Sequence, residues 1–338
     1  MEEKQRTKIL ELRQDLVTGD WVVIATSRAK RPEDFAKQEK EEIKEESGKA
    51  CLFCDPTASG QEKDTLLYSD AKGDWSLRVF PNKFPAFNRE DYPKHFEEGP
   101  YFGMDGIGYH EIIVTRDHER QIANMETAEV AEILDAYQDR YIDLMNKKSV
   151  NYIEIFHNHG KEAGASIPHP HSQLIAMPIL PADVRRSLEG AEKYFGMYGK
   201  CAHCEMIGWE KEEKRVIFQN EHFIVFAPFV PRVNFELRIY PKKHQSNFEK
   251  ITEIERKYLA EALQNALCSL YKGLKNPDYN FFIHTAPCDE KKYNYYHWHI
   301  EFLPKTNTWA GLELGTGVEV ITIKPEEVAK FLRKFIKK

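Results

Sequence analysis

The stretch Ser166-Ile167-Pro168-His169-Pro170-His171-Ser172-Gln173 places two imidazoles and an amide at alternate positions. On an extended chain, side chains two apart share a face, so His169, His171 and Gln173 are predicted to line one side of a strand at roughly 7 Å intervals. Ahead of them runs a glycine-rich polar loop, Asn158-His159-Gly160-Lys161-Glu162-Ala163-Gly164-Ala165. Glycine lets backbone N–H groups approach an anion closely, which makes Gly164 and its neighbours candidate phosphate contacts. An anion loop leading into a row of imidazoles predicts chemistry on a phosphate. The plainer alternative is a pair of structural histidines. Three polar side chains on one strand face are costly to bury without a purpose, which argues against it.

Six cysteines are present, and four form two C-x-x-C pairs, Cys51/Cys54 and Cys201/Cys204. A C-x-x-C knuckle supplies two ligands to a tetrahedral zinc, which wants four nitrogen or sulfur donors. Each knuckle is followed by a histidine at the end of a β-rich run and then by an H-x-H pair. His118 precedes His169 by 51 residues, and His244 precedes His297 by 53. The economical assignment is one structural zinc on Cys51, Cys54, His118 and His169, and another on Cys201, Cys204, His244 and His297. His203 remains an alternative ligand in the second set, as does His299 in place of His297. Cys268 lies in a helical pattern and reads as packed core.

The elements that position these residues repeat in the two halves. In the first, the strand Gly108–Thr115 ends near His118. A helix follows with Val130, Ile133, Leu134, Tyr137, Tyr141, Leu144 and Met145 at helical spacing, then the strand Tyr152–Phe156, the glycine loop and the His169 strand. In the second, the strand Glu236–Tyr240 runs to His244. A capping box at Thr252–Glu255 opens a helix bearing Leu259, Leu263, Leu267 and Leu270. The strand Tyr279–Ile283 and the His297 strand complete it. This order predicts an α+β fold of tandem domains, 1–180 and 181–338, with antiparallel sheets and flanking helices. The halves are expected to join near residues 181–200. Before the first knuckle, residues 8–26 read as two strands around a turn. The cluster Arg28-Ala29-Lys30-Arg31 is a candidate phosphate clamp, because guanidinium forks match phosphate oxygens. Residues 37–49 alternate acid and base with little apolar content and read as a solvated loop.

The 338 residues suffice for two domains, and 41% hydrophobic with 30% charged residues fits a globular protein. A net charge of −6 argues against wholesale nucleic-acid binding. No apolar run reaches the roughly 20 residues of a membrane span, and the N-terminus carries no signal-peptide core. A cytoplasmic location is expected, where paired cysteines read as metal ligands sooner than as disulfides.

These residues together resemble the galactose-1-phosphate uridylyltransferase family of the histidine-triad superfamily. Thr18-Gly19-Asp20-Trp21 with Arg28–Pro32 resembles its N-terminal signature, and Phe80-Pro81-Asn82-Lys83-Phe84 its uridine-side turn. His169-Pro170-His171-Ser172-Gln173 is the most specific part, with glutamine where hydrolytic relatives have a third histidine. The resemblance implies that His169 binds zinc, that His171 is the nucleophile and that Gln173 contacts the phosphoryl group. It implies that Arg28, Arg31, Asn82, Asn158 and Ser166 hold the nucleotide, that Glu313 belongs to a hexose loop, and that the protein is a homodimer. Some members hold iron in the second half with a glutamate and three histidines. Here Ser187 stands in the glutamate's place and the Cys201/Cys204 pair resembles the plant-type ADP-glucose phosphorylase branch. Asn307 and Thr308 replace the lysine and aromatic of the hexose loop.

The implied reaction is ping-pong transfer of a uridylyl group from UDP-glucose through His171 to galactose 1-phosphate. A backbone carbonyl near His169 is expected to hold the proton of the other His171 nitrogen. Partners are then a nucleotide sugar and a hexose 1-phosphate, with no nucleic acid and no membrane. Two alternatives stand beside it. One is an ADP-sugar phosphorylase or adenylyltransferase on the same scaffold. The other is a zinc-stabilised nucleotide-binding protein without turnover, against which the His171/Gln173 pair and the glycine loop argue.

Overall fold

Alternating apolar and polar positions along the strands of both halves produce one sheet with one dry face. The computed structural model describes residues 10–26, 32–35, 51–90, 92–212 and 214–337. Their strands are β1 (Leu10–Gln14), β2 (Trp21–Ala25), β3 (Leu66–Ser69), β4 (Trp75–Pro81), β5 (His95–Glu98), β6 (Tyr101–Met104), β7 (Tyr109–Thr115), β8 (Tyr152–His159) and β9 (His171–Met177) in the first half. The second half adds β10 (Val216–Gln219), β11 (Phe223–Phe226), β12 (Leu237–Pro241), β13 (Tyr279–His284), β14 (His299–Pro304) and β15 (Glu319–Ile321). The helices are α1 (Pro32–Phe35), α2 (Thr127–Met145), α3 (Ala182–Tyr198), α4 (Ala202–Glu210), α5 (Glu253–Gly273), α6 (Gly311–Thr316) and α7 (Pro325–Leu332).

Ten strands form a single sheet in the order β3-β4-β7-β9-β8-β13-β14-β12-β11-β10. Every ladder in it is antiparallel. The order is the same read inward from either edge, with β8 paired to β13 at the seam and Phe156 opposite Phe282. The fold is α+β, and the repeat is two five-stranded halves fused edge to edge. Fusion removes two exposed edges that would otherwise invite aggregation. The join at 181–200 is mostly the helix α3.

One face of the sheet carries Leu174, Ala176, Ile153 and Ile155 from the first half and Ile239, Ile283, Ile300 and Phe302 from the second. These pack against α2 and α5 in one core cluster that spans both halves. Leu259, Leu263, Leu267 and Leu270 of α5 are fully buried, as their helical spacing dictates. The capping box is formed: Thr252 Oγ1 accepts from Glu255 N–H at 3.3 Å, and Glu255 Oε2 accepts from Thr252 N–H at 2.7 Å. Because side chains alternate, the opposite face holds the polar set: His171 and Gln173 on β9, Asn158 on β8, and His299 and Glu301 on β14. The small sheet β1-β2-β15 is separate from this one. The β5–β6 hairpin also stands apart, with Phe96, Tyr101 and Phe102 exposed.

Candidate active site and metal centres

Strand β9 begins at His171, not at His169. Pro168 and Pro170 cannot donate to a ladder, so the chain stays outside the sheet until His171. His169 thus lies just before the ladder. Its Nε2–H donates to the Thr115 carbonyl at the end of β7 (2.7 Å), leaving Nδ1 as a ligand atom. The His169 carbonyl in turn accepts the Nδ1–H of His171 at 2.9 Å. That bond fixes the His171 tautomer and leaves Nε2 with its lone pair. Burial lowers the His171 pKa, partly offset by the carbonyl bond, so the ring is neutral near pH 7.

Cys51, Cys54, His118 and His169 converge, their donor atoms all within 4.8 Å of one another. Cys54 Sγ lies 3.2 Å from His118 Nδ1 and 3.6 Å from His169 Nδ1, and Cys51 Sγ lies 3.6 Å from His169 Nδ1. With Zn–S near 2.3 Å and Zn–N near 2.0–2.1 Å, a tetrahedral ion gives S···N edges of roughly 3.5 Å, so the cage fits zinc. Cys201, Cys204, His244 and His297 repeat it, with Cys204 Sγ at 3.3 Å from His244 Nδ1 and 3.5 Å from His297 Nδ1. The outer contact repeats too, as His297 Nε2–H donates to the Pro241 carbonyl at the end of β12 (2.9 Å). His297, not His299, reaches this cluster. His203 stays outside it, buried against Tyr240, Tyr296 and His299.

Two further residues border the site, Phe53 beside His171 and His110 beside Gln173. Phe53, inside the first knuckle, sets its ring edge-on to His171 with centroids 5.0 Å apart. Its position between two ligand cysteines was the available signal. His110 lies on β7 within reach of Gln173, its Nε2 at 2.7 Å from Gln173 Oε1. Strand alternation alone could have placed it on the polar face.

Asn82, at the end of β4, contacts His110 Nε2 at 3.1 Å, and its Oδ1 accepts from Phe84 N–H. Asn158 Oδ1 accepts from Asn280 Nδ2 across the seam at 2.8 Å. In the glycine loop, the N–H groups of Glu162, Gly164 and Ala165 already donate to Asp278, Lys161 and Gly160. Gly164 takes φ +86°, a left-handed value that favours glycine, and both Gly164 and Ser166 are exposed. Arg28 and Arg31 lie outside the described residues. Glu313 is not brought to His171. It sits on α6, where its carboxylate caps Ala310 N–H at 3.0 Å.

A third cluster, His284, His299 and Glu301, occupies the matching place in the second half. It borders a cavity of about 420 Å3 that Ser187, His203 and Arg232 also line. His299 copies the His171 tautomer, its Nδ1–H donating to the His297 carbonyl at 3.1 Å. Its Nε2, however, faces Glu301 Oε1 at 3.5 Å, where the first half has Gln173. Burial pushes the Glu301 carboxyl up, but Arg238 and the two imidazoles hold it well below the usual range. Arg238 Nε sits 3.2 Å from Glu301 and 2.8 Å from Glu236. The Arg238 guanidinium beside the carboxylate opposes a metal cation here, while Glu301 Oε2 and His284 Nδ1 are buried without a hydrogen-bond partner.

Among the described residues no helix is long and apolar enough to cross a membrane. Residues 1–181 match the family described as galactose-1-phosphate uridyl transferase, N-terminal domain, and residues 95–338 match a domain of unknown function. The chain is 34% identical to the ADP-glucose phosphorylase of Arabidopsis thaliana over 329 residues, covering 96% of this chain and 92% of that one. It is 30% identical to the galactose-1-phosphate uridylyltransferase of Thermotoga maritima over 337 residues, covering 96% and 98%. The crystal structure of the Arabidopsis thaliana ADP-glucose phosphorylase with bound ADP-glucose superposes with a TM-score of 0.82 at 31% identity, covering 97% of this chain and 99% of that one. A structure of uridylyltransferase gives 0.75 at 28% identity, covering 96% and 98%.

Proposed function

The chain belongs to the galactose-1-phosphate uridylyltransferase family of the histidine-triad superfamily, and from that premise we propose that it transfers a nucleoside monophosphate from a nucleotide sugar, through His171, to a phosphate-bearing acceptor. One observation carries this reading: His171 is buried, neutral and held by the His169 carbonyl, so Nε2 presents a lone pair beside Gln173. In the first half-reaction, Nε2 forms a bond to the α-phosphorus and the bond to the sugar 1-phosphate oxygen breaks. The leaving group departs as a phosphate and needs no proton. In the second, an oxygen of the acceptor phosphate attacks phosphorus, the P–N bond breaks, and His171 is regenerated. Gln173 donates to the non-bridging oxygens as charge moves across them. It cannot supply a proton, which favours phosphate acceptors over water.

Arg28 and Arg31 are proposed to clamp the phosphates, with Asn82, Asn158, Gly164 and Ser166 contacting the nucleotide. Zinc is proposed at both cysteine–histidine clusters. Four protein ligands leave no open position, so its part there is to hold His169 and His297 in place. A homodimer is proposed, with the exposed aromatics of the β5–β6 hairpin as a candidate contact.

The donor and acceptor expected from the sequence are UDP-glucose and galactose 1-phosphate. A second reading, phosphorolysis of ADP-glucose, is favoured by one observation. Asn307 accepts from Asn234 at 2.6 Å and donates to the Val320 carbonyl, so it is spent on the fold and offers an acceptor phosphate no charge. The test is incubation with UDP- and ADP-glucose, each with galactose 1-phosphate or inorganic phosphate. Base-labelled donor should leave acid-labile label on the protein and release glucose 1-phosphate. Label retained in His171→Ala overturns the reading.

A further inference from the structure

We propose that His110 is a positioning residue that sets which end of the Gln173 amide faces the reacting phosphoryl group. This rests on the reading of His171 and Gln173 given above.

Ala86 N–H donates to His110 Nδ1 at 3.1 Å. A backbone amide can only donate, so Nδ1 must carry its lone pair, and the ring proton is on Nε2. A doubly protonated ring would set Nδ1–H against Ala86 N–H. Burial also lowers the His110 pKa, against the pull of its Gln173 bond, which agrees with a neutral ring. Nε2–H then has one acceptor in reach, Gln173 Oε1 at 2.7 Å. Asn82 is no acceptor for it: its Oδ1 already accepts from Phe84 N–H, and its amide nitrogen, 3.1 Å from Nε2, meets a second donor there and makes no hydrogen bond to the ring in this tautomer.

The consequence falls on Gln173. An amide can rotate by half a turn and exchange oxygen for nitrogen at little steric cost. With oxygen toward the phosphate it repels, and with nitrogen toward it, it donates. His110 accepts no bond at Nε2, so only the Oε1-inward orientation satisfies both residues. Among the described residues Gln173 Nε2 has no partner, which leaves both of its hydrogens for a ligand. Asn82 and Ala86 lie on the turn after β4, so the tautomer of His110 links that turn to the amide on β9.

The test compares the rate of the first half-reaction, as nucleotide label appearing on protein, in the wild type and four variants. His110→Phe keeps the ring and removes the donor. It should slow labelling at saturating nucleotide sugar by roughly 10- to 100-fold while moving KM little. His110→Gln can accept from Ala86 N–H and donate to Gln173, and should recover most of the rate. In Gln173→Ala, adding His110→Phe should cost nothing further. Equal losses in both backgrounds, or a His110→Phe rate equal to wild type, overturn the proposal. Ring-nitrogen NMR of labelled histidine, with His110→Gln for assignment, should show a neutral Nε2–H tautomer at His110. An Nδ1–H tautomer or an imidazolium near pH 7.5 overturns it too. If no nucleotide sugar labels the wild type, the reading of the site fails, and the tautomer measurement still decides His110.

Discussion

The edge of the Phe53 ring meets His171 with centroids 5.0 Å apart and planes at 69°. It also meets His169, at 6.2 Å. One residue between two cysteine ligands thus packs against both the inner histidine of the metal cluster and the candidate nucleophile. The knuckle thus meets the His171 ring through an apolar contact, beside the donor cluster that His169 joins.

Replacing that contact should separate the two roles. In Phe53→Ala the four donor side chains remain, so the metal content should stay unchanged. Phe53 is almost fully buried beside Phe80, Ile112 and Val114, and its loss should destabilise by about 3 kcal/mol. Labelling of His171 should slow because the ring gains rotational freedom. Thermal melts, metal analysis and labelling rates check this. A labelling rate equal to wild type would restrict Phe53 to packing.

Metal analysis of protein purified without chelator should find two zinc ions per chain, one in Cys51→Ser and one in Cys201→Ser. Cys51→Ser should also abolish most activity, because His169 both belongs to the proposed zinc cage and supplies the carbonyl that holds His171 Nδ1–H. Cys201→Ser should cost stability with less effect on turnover. Its cluster fixes the strand leading to His299, whose Nε2 faces Glu301. A single zinc in the wild type would count against the second site.

Much of this was legible in the sequence because it depends on spacing. The matched order of knuckle, histidine and H-x-H located both cages, and period-3.6 leucines located α5. Fusion into one sheet was not legible, since no local pattern reports that β8 pairs with β13 or that Phe156 faces Phe282. Alternation alone extends β9 back to His169, but Pro168 and Pro170 lack the N–H groups a ladder needs, so the strand starts at His171. His110 and Phe53 stayed hidden because their parts depend on contacts 63 and 118 residues away in the chain. Arg28 and Arg31 fall outside the described residues.

The second half should not become a second catalytic site when its sequence is made to match the first. Glu301→Gln gives the order His-x-His-x-Gln, as at His169, His171 and Gln173. The change removes a carboxylate that lies 3.2 Å from the buried Arg238 guanidinium. Breaking such a pair costs about 3–5 kcal/mol. Chemical denaturation should report that loss, while base-labelled donor should still mark His171 alone. A second labelled histidine in Glu301→Gln would mean that the carboxylate alone suppresses a functional site at His299.

Glu154 should make the protein more stable at acid than at alkaline pH over one window. It sits on β8 at the seam, opposite His284 of β13 in the register that pairs Ile155 with Ile283. Burial pushes its carboxyl up from 4.5 to about 7, against the pull of the His284 charge. The folded state therefore holds a proton that the unfolded chain releases near pH 4.5. Stability rises with pH only where the unfolded state binds more protons, and here it binds fewer. The contribution of Glu154 is thus fully present below about pH 4.5 and is lost as pH rises through about 7. Glu154→Gln keeps the shape and removes the titration. Relative to wild type it should gain stability on going from pH 5 to pH 8, by at most about 3 kcal/mol at 1.36 kcal/mol per pKa unit. Denaturant melts of both proteins across that range check the sign. A difference that stays flat, or that falls toward pH 8, would show that Glu154 is ionised in the folded protein at pH 5.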